Sequence, residues 1–275
     1  MEKNLTDNYE KQIYIGRDLF LKYDQDMLIK KYKLKNDHAY LYLNYIGTEY
    51  RISRSDGSIE YMAEGIWKIC KEYTIVMTIY DLLCYSEDKT LPPLTGQWQP
   101  VTRFIPTGSS PSGDVFTPKY EAAFSGKVNA VSQACLCLGG KLQKQLAGAD
   151  LTFEMPVMGD FSVLFQFWDA DEEFPAKILL LWDKVSLSYL HFETTFYLQG
   201  DLLETILQKI NAYSSRNIPG KPLPLLIYII QCHLAGEYLY MMTHIRISAL
   251  YHRASFRLNI SVILRQSCHV STKAL

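Results

Sequence analysis

FSVLFQFWDADEEFP, at residues 161–175, is the stretch that decides the fold. A mostly apolar and aromatic run ends at Trp168, an acidic segment follows, and AKILLLW at residues 176–182 is a second apolar run. Short apolar runs bounded by turn residues are typical of buried strands. The pattern therefore predicts a strand, an acidic loop and a second strand.

Outward from this hairpin, strand and helix patterns mix without a regular βαβ rhythm. Alternating residues predict strands at 39–46 and 49–53 joined at Gly47, and the turn Asp56-Gly57 leads into another strand. Apolar spacing predicts helices at residues 6–22 (with Thr6 as N-cap), 66–84, 120–124, 129–138 and 202–213. This mixture predicts an α+β fold, a single mixed domain with antiparallel strands and packed helices.

The composition is that of a globular protein. Of 275 residues, 48% are hydrophobic and 21% are charged, which excludes a disordered chain. The formal net charge of −1 gives no global reason to bind nucleic acid or acidic lipid, so we expect no nucleic-acid partner. The six cysteines are scattered and the N-terminus lacks the apolar core of a signal peptide, which predicts a reduced, cytoplasmic protein.

Charge is distributed unevenly along the chain. Residues 1–215 carry a net charge of −7, whereas residues 216–275 carry +6. The shift predicts a domain over residues 1–213 and a basic, apolar tail over residues 214–275.

Three explanations of the tail remain open at this point. It is a frameshifted, unselected sequence, a genuine extension, or a membrane contact through the apolar stretch at residues 223–242, which is long enough to span a bilayer. Gln231, His233 and Glu237 near the middle of that stretch are costly in lipid. We therefore do not expect a membrane partner.

The acidic loop is the first candidate site. Its carboxylates could hold a divalent cation, because Mg²⁺ and Ca²⁺ prefer carboxylate oxygens, although the spacing is not that of a calcium-binding loop. They could instead recognise a basic protein partner or form a solvated hairpin turn. The residues concerned are Asp169, Asp171, Glu172 and Glu173.

A long loop at residues 91–114, rich in Pro and Gly, is the second candidate site. Trp98 and Arg103 precede its segment GSSPSG and could stack on a planar ligand or clamp its carboxylate, with Trp168 as a further contact. The alternative is a loop pinned by a buried Trp98. The segment lacks the Lys of a phosphate-binding loop.

His191 and Glu193 are the third candidate site. In an extended segment they face one side and form a candidate acid/base pair. Asp183 is a candidate to orient His191, or else to cap the turn that follows it. The alternative is a structural histidine bonded to the backbone.

Cys135 and Cys137 lack a matching second pair for zinc and are expected to be buried.

The order of several motifs resembles a bacterial family known as domain of unknown function 3786, over about residues 5–213. The motifs are IYDLLCYSEDKTLPPLTGQWQPVTRF at 79–104, KYEAAF at 119–124, Gly139-Gly140, and FEMPVMGDFSVLFQFWDADEEFPAKILLLWDKVSLSYLHFETTFYL at 153–198. The resemblance implies no assigned activity. Some relatives lie beside an iron–sulfur module of the kind seen in corrinoid proteins, which implies a role in anaerobic one-carbon metabolism. This chain has no Cys cluster with such spacing.

The leading hypothesis is a non-catalytic, cytoplasmic binding or accessory module that serves corrinoid or iron–sulfur enzymes. The acidic loop and the loop with Trp98 and Arg103 would form its recognition surface. The rival is a metal-assisted enzyme in which Asp169, Asp171 and Glu173 hold a cation and His191 acts as base. The third is membrane attachment through the tail.

Overall fold

The computed structural model describes residues 2–86, 89–104, 116–144 and 148–216. These residues form six α-helices and two antiparallel sheets, which confirms the predicted α+β class. The helices are α1 (Glu2–Lys22), α2 (Gln25–Tyr32), α3 (Tyr73–Cys84), α4 (Pro118–Phe124), α5 (Val128–Cys137) and α6 (Thr194–Arg216). The strands are β1 (Lys35–Asn36), β2 (Tyr40–Tyr45), β3 (Thr48–Ser53), β4 (Ile59–Ala63), β5 (Ile66–Ile69), β6 (Trp98–Gln99), β7 (Lys141–Leu142), β8 (Leu151–Met158), β9 (Phe161–Trp168) and β10 (Lys177–Asp183).

The first sheet is a meander in the order β1-β2-β3-β4-β5. Two of its hairpins use two-residue turns with positive φ, Ile46-Gly47 and Glu64-Gly65, as the twist of paired strands favours. A β-branched residue at positive φ is unfavourable. At Ile46, burial of the side chain and a backbone hydrogen bond of 3.0 Å to Val157 offset this cost and join the first sheet to β8.

The second sheet has the order β6-β10-β9-β8-β7, with the predicted hairpin at its centre. Seven of the eight residues of β9 are buried, from Phe161 to Phe167. A central strand covered on both faces needs a continuous apolar run rather than an alternating one. The acidic loop joins β9 to β10 at one end of this sheet, and Asp183 lies at the other end of β10.

The helices complete the core around α6. Leu198, Leu202, Ile206 and Ile210 follow each other at four-residue spacing and are fully buried, so they form one apolar face of this helix. α3, α4 and α5 all pack on α6. Gly139 adopts a φ of +84°, and the amides of Gly139 and Gly140 bond back to Leu136 and Cys135, which ends α5 where the glycine pair predicted.

Several predicted boundaries were wrong. Residues 66–69 form β5 rather than the start of a helix, because the Glu64-Gly65 turn folds the chain back along β4; α3 begins only at Tyr73. α1 begins ahead of Thr6 and α6 begins at Thr194 rather than at residue 202. The helix α2 was not predicted.

The predicted tail and its apolar stretch at residues 223–242 lie almost wholly outside the described residues, so the division at residue 213 stays a prediction. In the part of the chain that is described, no helix is both long and apolar enough to cross a membrane.

Candidate functional site

A cleft of about 910 Å³ opens between α2, the segment at residues 89–94 and the turn between β8 and β9. Its volume falls in the range of small-molecule sites, which is roughly 300–1,000 Å³. The apolar residues that line the cleft are Met27, Leu28, Leu91, Pro92, Pro93, Leu94 and Met158. The cleft thus offers an apolar surface large enough for most of a small ligand.

Three tyrosines that line the cleft are each anchored by a hydrogen bond to a backbone carbonyl. Tyr23 donates a hydrogen bond of 2.6 Å to the carbonyl of Cys84, and Tyr32 donates one to the carbonyl of Leu82. Tyr189 donates one of 2.5 Å to the carbonyl of Pro92 and stacks its ring on Phe161. Burial is the main cause that raises the pKa of Tyr32 to about 12. Burial also raises the pKa of Tyr189, so these two phenols serve as neutral donors, and the three bonds fix the positions of the tyrosine rings.

Lysines give the cleft its charge. Lys30, Lys31 and Lys33 come from the end of α2 and the residue after it, and Lys89 comes from the facing segment. The ammonium of Lys31 donates a hydrogen bond of 2.5 Å to Ser86, which orients it. Local charge in this cleft is thus opposite in sign to that of the domain.

Asp160 is the one acid among the described residues that line the cleft. Its carboxylate lies 3.5 Å from the ammonium of Lys33, and both side chains are more than 80% exposed, so this pair neutralises little. Glu87 and Asp88 precede Lys89 in the sequence and lie outside the described residues.

Sequence reasoning missed this site. The signal was present in the basic run at residues 30–35, which contains four lysines, and in the N-cap Asp24, whose carboxylate accepts hydrogen bonds from the amides of Asp26 and Met27. α2 has only eight residues, and the facing walls come from positions up to 160 residues away. Only folding brings them together.

The acidic loop is built as a capped turn. One oxygen of Asp169 accepts hydrogen bonds from the amides of Gly126 and Ala170, and one oxygen of Asp171 accepts from the amides of Glu173 and Phe174. The bonds to these two amides hold the pKa of Asp171 below its ordinary value. Both carboxylates thus already serve the backbone, and Glu172 and Glu173 are exposed.

The structure separates the two predicted tryptophan contacts. Trp168 pairs with Lys177 at one end of β10, and its ring lies 5.9 Å from the Lys177 ammonium, whereas Trp98 pairs with Asp183 at the other end. Six residues of strand separate these ends, which is about 20 Å. Arg103 is exposed in a short 3-10 helix after β6. Residues 105–115, including GSSPSG, lie outside the described residues.

Asp183 is a buried anchor for the segment before β6. Its carboxylate accepts hydrogen bonds from the amides of Thr95 and Gly96 at 2.8 and 2.7 Å, and from the hydroxyl of Thr95. It also accepts from the amide of Val185 at 3.1 Å, which is the turn-capping arrangement. These bonds hold the chain that leads from the cleft into β6.

His191 is oriented by a residue that the sequence analysis did not single out. Asp81 of α3 lies 2.5 Å from its Nδ1 and also accepts a hydrogen bond from its backbone amide at 2.8 Å. The ring of Tyr85 lies against the imidazole, with centroids 4.1 Å apart. The side chain of His191 remains 60% exposed, whereas that of Asp81 is only 13% exposed. Glu193 is exposed in the turn before α6.

The candidate metal and base residues are not brought together. The segment that carries His191 attaches through Tyr189 to Phe161, the first residue of β9, whereas the acidic loop follows the last residue of that strand. Over the ranges described, no group of three or more His, Cys, Asp or Glu side chains is placed to hold a metal ion. Cys135 is fully buried, which raises the pKa of its thiol.

A second buried polar group lies away from the cleft, between β2, α3 and α6. The carboxylate of Asp201 accepts hydrogen bonds from the hydroxyls of Tyr45 at 2.7 Å and Thr74 at 2.6 Å. Burial raises the pKa of Asp201 to about 6, against the opposing effect of these two bonds. We assign it no ligand, because its oxygens are already used within the protein.

Comparison with known proteins agrees with the resemblance of the motifs. Neither a curated protein nor a solved structure matches the chain. A family model, described as "Domain of unknown function (DUF3786)", matches residues 27–205, a range that includes most of α2, Asp81, the acidic loop, His191 and all of the cleft lining except Tyr23. The match covers more than half of the chain, and the chain therefore belongs to this DUF3786 family.

Proposed function

We propose that this protein is a non-catalytic binding module whose ligand occupies the lysine-lined cleft. The observation that carries the proposal is the lining itself: apolar side chains, three tyrosines anchored by hydrogen bonds, and four lysines against one acid among the described residues. A preformed apolar cleft with a few convergent polar groups is the usual form of a small-molecule site. The lysines select an anionic ligand.

A binding role fits the described chemistry better than catalysis. The carboxylates of Asp169, Asp171 and Asp183 are taken up by backbone amides, and His191 lies at the other end of the sheet from the acidic loop. The service to corrinoid or iron–sulfur enzymes and the cytoplasmic location stay predictions. The first rests on the family resemblance and the second on the scattered cysteines.

The test is binding of 1-anilinonaphthalene-8-sulfonate, an apolar anionic dye, to the full chain. We expect saturable binding at one site, with loss of dye fluorescence in Leu91→Glu, because this change puts a carboxylate on the apolar floor. Leu142→Glu is the matched control, since Leu142 is exposed and does not line the cleft. Equal dye binding by both variants and the parent would refute the cleft as the site.

A further inference from the structure

We infer that the ligand of the cleft carries a phosphate or diphosphate group on an aromatic or aliphatic body of about nucleotide size; this inference rests on the proposed function. Lys30 and Lys31 come from α2 and Lys89 from the separate segment at residues 89–94, and all three line the cleft. A charged group in the cleft therefore meets lysines from two segments. A single wall of lysines would only describe a solvated surface.

The charge is local rather than general. Residues 1–215 carry a net charge of −7, yet the described lining of the cleft holds four lysines and one aspartate. A protein that binds nucleic acid or an acidic membrane presents an extended basic surface. Positive charge confined to a cleft of about 910 Å³ selects a small anion instead.

The number of cations favours phosphate over carboxylate. Both Arg and Lys bind either anion, but a cluster of lysine ammonium groups, each a point charge with three donors, matches the several negative charges and oxygens of a phosphate or diphosphate better than the single charge of a carboxylate. The described lining contains four lysines. The ammonium of Lys31 donates a hydrogen bond to the hydroxyl of Ser86, which fixes the position of this side chain at the cleft.

The apolar floor sets the rest of the ligand. Leu28, Leu91, Leu94 and Met158 line the same cleft as the lysines, and inorganic phosphate alone would leave this apolar surface and most of the volume unfilled. A helix C-terminus attracts lysines for its own dipole, which accounts for Lys30 and Lys31. It does not account for Lys89, which belongs to another segment.

The test is isothermal titration of the full chain with ADP, pyrophosphate and adenosine. We expect ADP to bind most tightly, pyrophosphate to compete with it, and adenosine to bind at least tenfold more weakly than ADP. Lys30→Ala/Lys89→Ala should weaken ADP binding at least tenfold, since it removes two charge-assisted hydrogen-bond donors to the phosphates. Lys68→Ala/Lys141→Ala removes two exposed lysines outside the cleft and should leave it unchanged.

Two results would overturn the inference. Equal weakening by both double variants would mean that ADP is held by general electrostatics. Dye binding that depends on Leu91, with no competition from ADP or pyrophosphate, would leave the cleft a ligand site and refute the phosphate. If the dye also fails to bind, the proposed function itself fails.

Discussion

The hydroxyl of Tyr45 donates a hydrogen bond of 2.7 Å to the carboxylate of Asp201 across 156 positions of sequence. The bond joins the first sheet to α6, and the hydroxyl of Thr74 brings α3 to the same carboxylate. Tyr45 is almost fully buried, and burial with the nearby carboxylate raises its pKa well above the ordinary value. Three elements thus meet at one buried acid.

Asp201 should make stability fall as the pH rises. The pKa of Asp201 is about 6 in the folded protein, whereas an unperturbed aspartate has a pKa of 3.8. The folded state therefore binds the proton more tightly. The contribution is fully present below pH 4 and is lost as the pH rises through 6. A pKa difference of about two between the folded and unfolded states corresponds to about 3 kcal/mol in the free energy of unfolding.

Urea denaturation of the parent and of Asp201→Asn at pH 4, 5, 6 and 7 tests this effect. The free energy of unfolding of the parent, minus that of the variant, should decrease across this range. Subtracting the free energy of unfolding of the variant cancels the pH dependence that both proteins share. This includes the contribution of carboxylates such as Asp56 and Asp171, whose lowered pKa values act in the opposite direction. A difference that is independent of pH would contradict the assignment.

Loss of the Asp183 carboxylate should release the segment before β6. Asp183→Ala removes a fully buried carboxylate that accepts charge-assisted hydrogen bonds from the amides of Thr95 and Gly96. We expect a loss on the order of 3 kcal/mol in the free energy of unfolding. Asp160→Ala is the control, because its side chain is 89% exposed, and its effect should stay within about 0.5 kcal/mol. Equal denaturation midpoints for the two variants would count against the anchor.

Gly47 should tolerate substitution less well than Gly65. Both lie at the second position of a two-residue hairpin turn, with φ of +70° and +80°, so Ala suffers similar backbone strain at each. A Cβ on Gly47 would also lie 3.0 Å from the Cα of Leu138, whereas Gly65 has open space. We expect Gly47→Ala to cost at least about 1 kcal/mol more than Gly65→Ala. Similar melting temperatures would show that the end of α5 shifts without cost.

Divalent cations should not stabilise the protein through the acidic loop. Thermal melts with Mg²⁺, Ca²⁺, Mn²⁺ or Zn²⁺ should match the melt without them, because Asp169 and Asp171 already accept backbone hydrogen bonds. A cation at 100 times its Kd would stabilise by about 2.7 kcal/mol. If a cation raises the melting temperature of the parent and Asp169→Asn/Asp171→Asn abolishes this rise, the hypothesis of a metal-assisted enzyme would be favoured again.

Local patterns predicted what depends on neighbours in sequence. The run from Phe161 to Trp168 predicted the central strand, Gly47 predicted a hairpin, and the glycine pair at 139–140 predicted the end of α5. Each depends on residues within about ten positions. The β-branched and apolar residues at 66–69 fitted a helix as well as a strand, and only pairing with β4 selected the strand.

The partners of the candidate residues could not be predicted in this way. The sequence offered Asp183 and Glu193 as companions of His191, but its carboxylate partner is Asp81, 110 positions away on α3. Asp183 instead bonds to Thr95 and Gly96. Such pairings depend on the direction of side chains after the elements pack.

The sequence by itself determined the fold class, the central hairpin, the family and the absence of a strong overall charge, because period, turn residues and composition act locally. Only the tertiary structure decided where a ligand would bind. The cleft unites residues from α2, the 89–94 segment, the turn at Gly159 and Tyr189, and no local pattern links them. Packing of α2 against the end of α3 brings the lysines of the basic run at residues 30–35 to the cleft that Lys89 also lines.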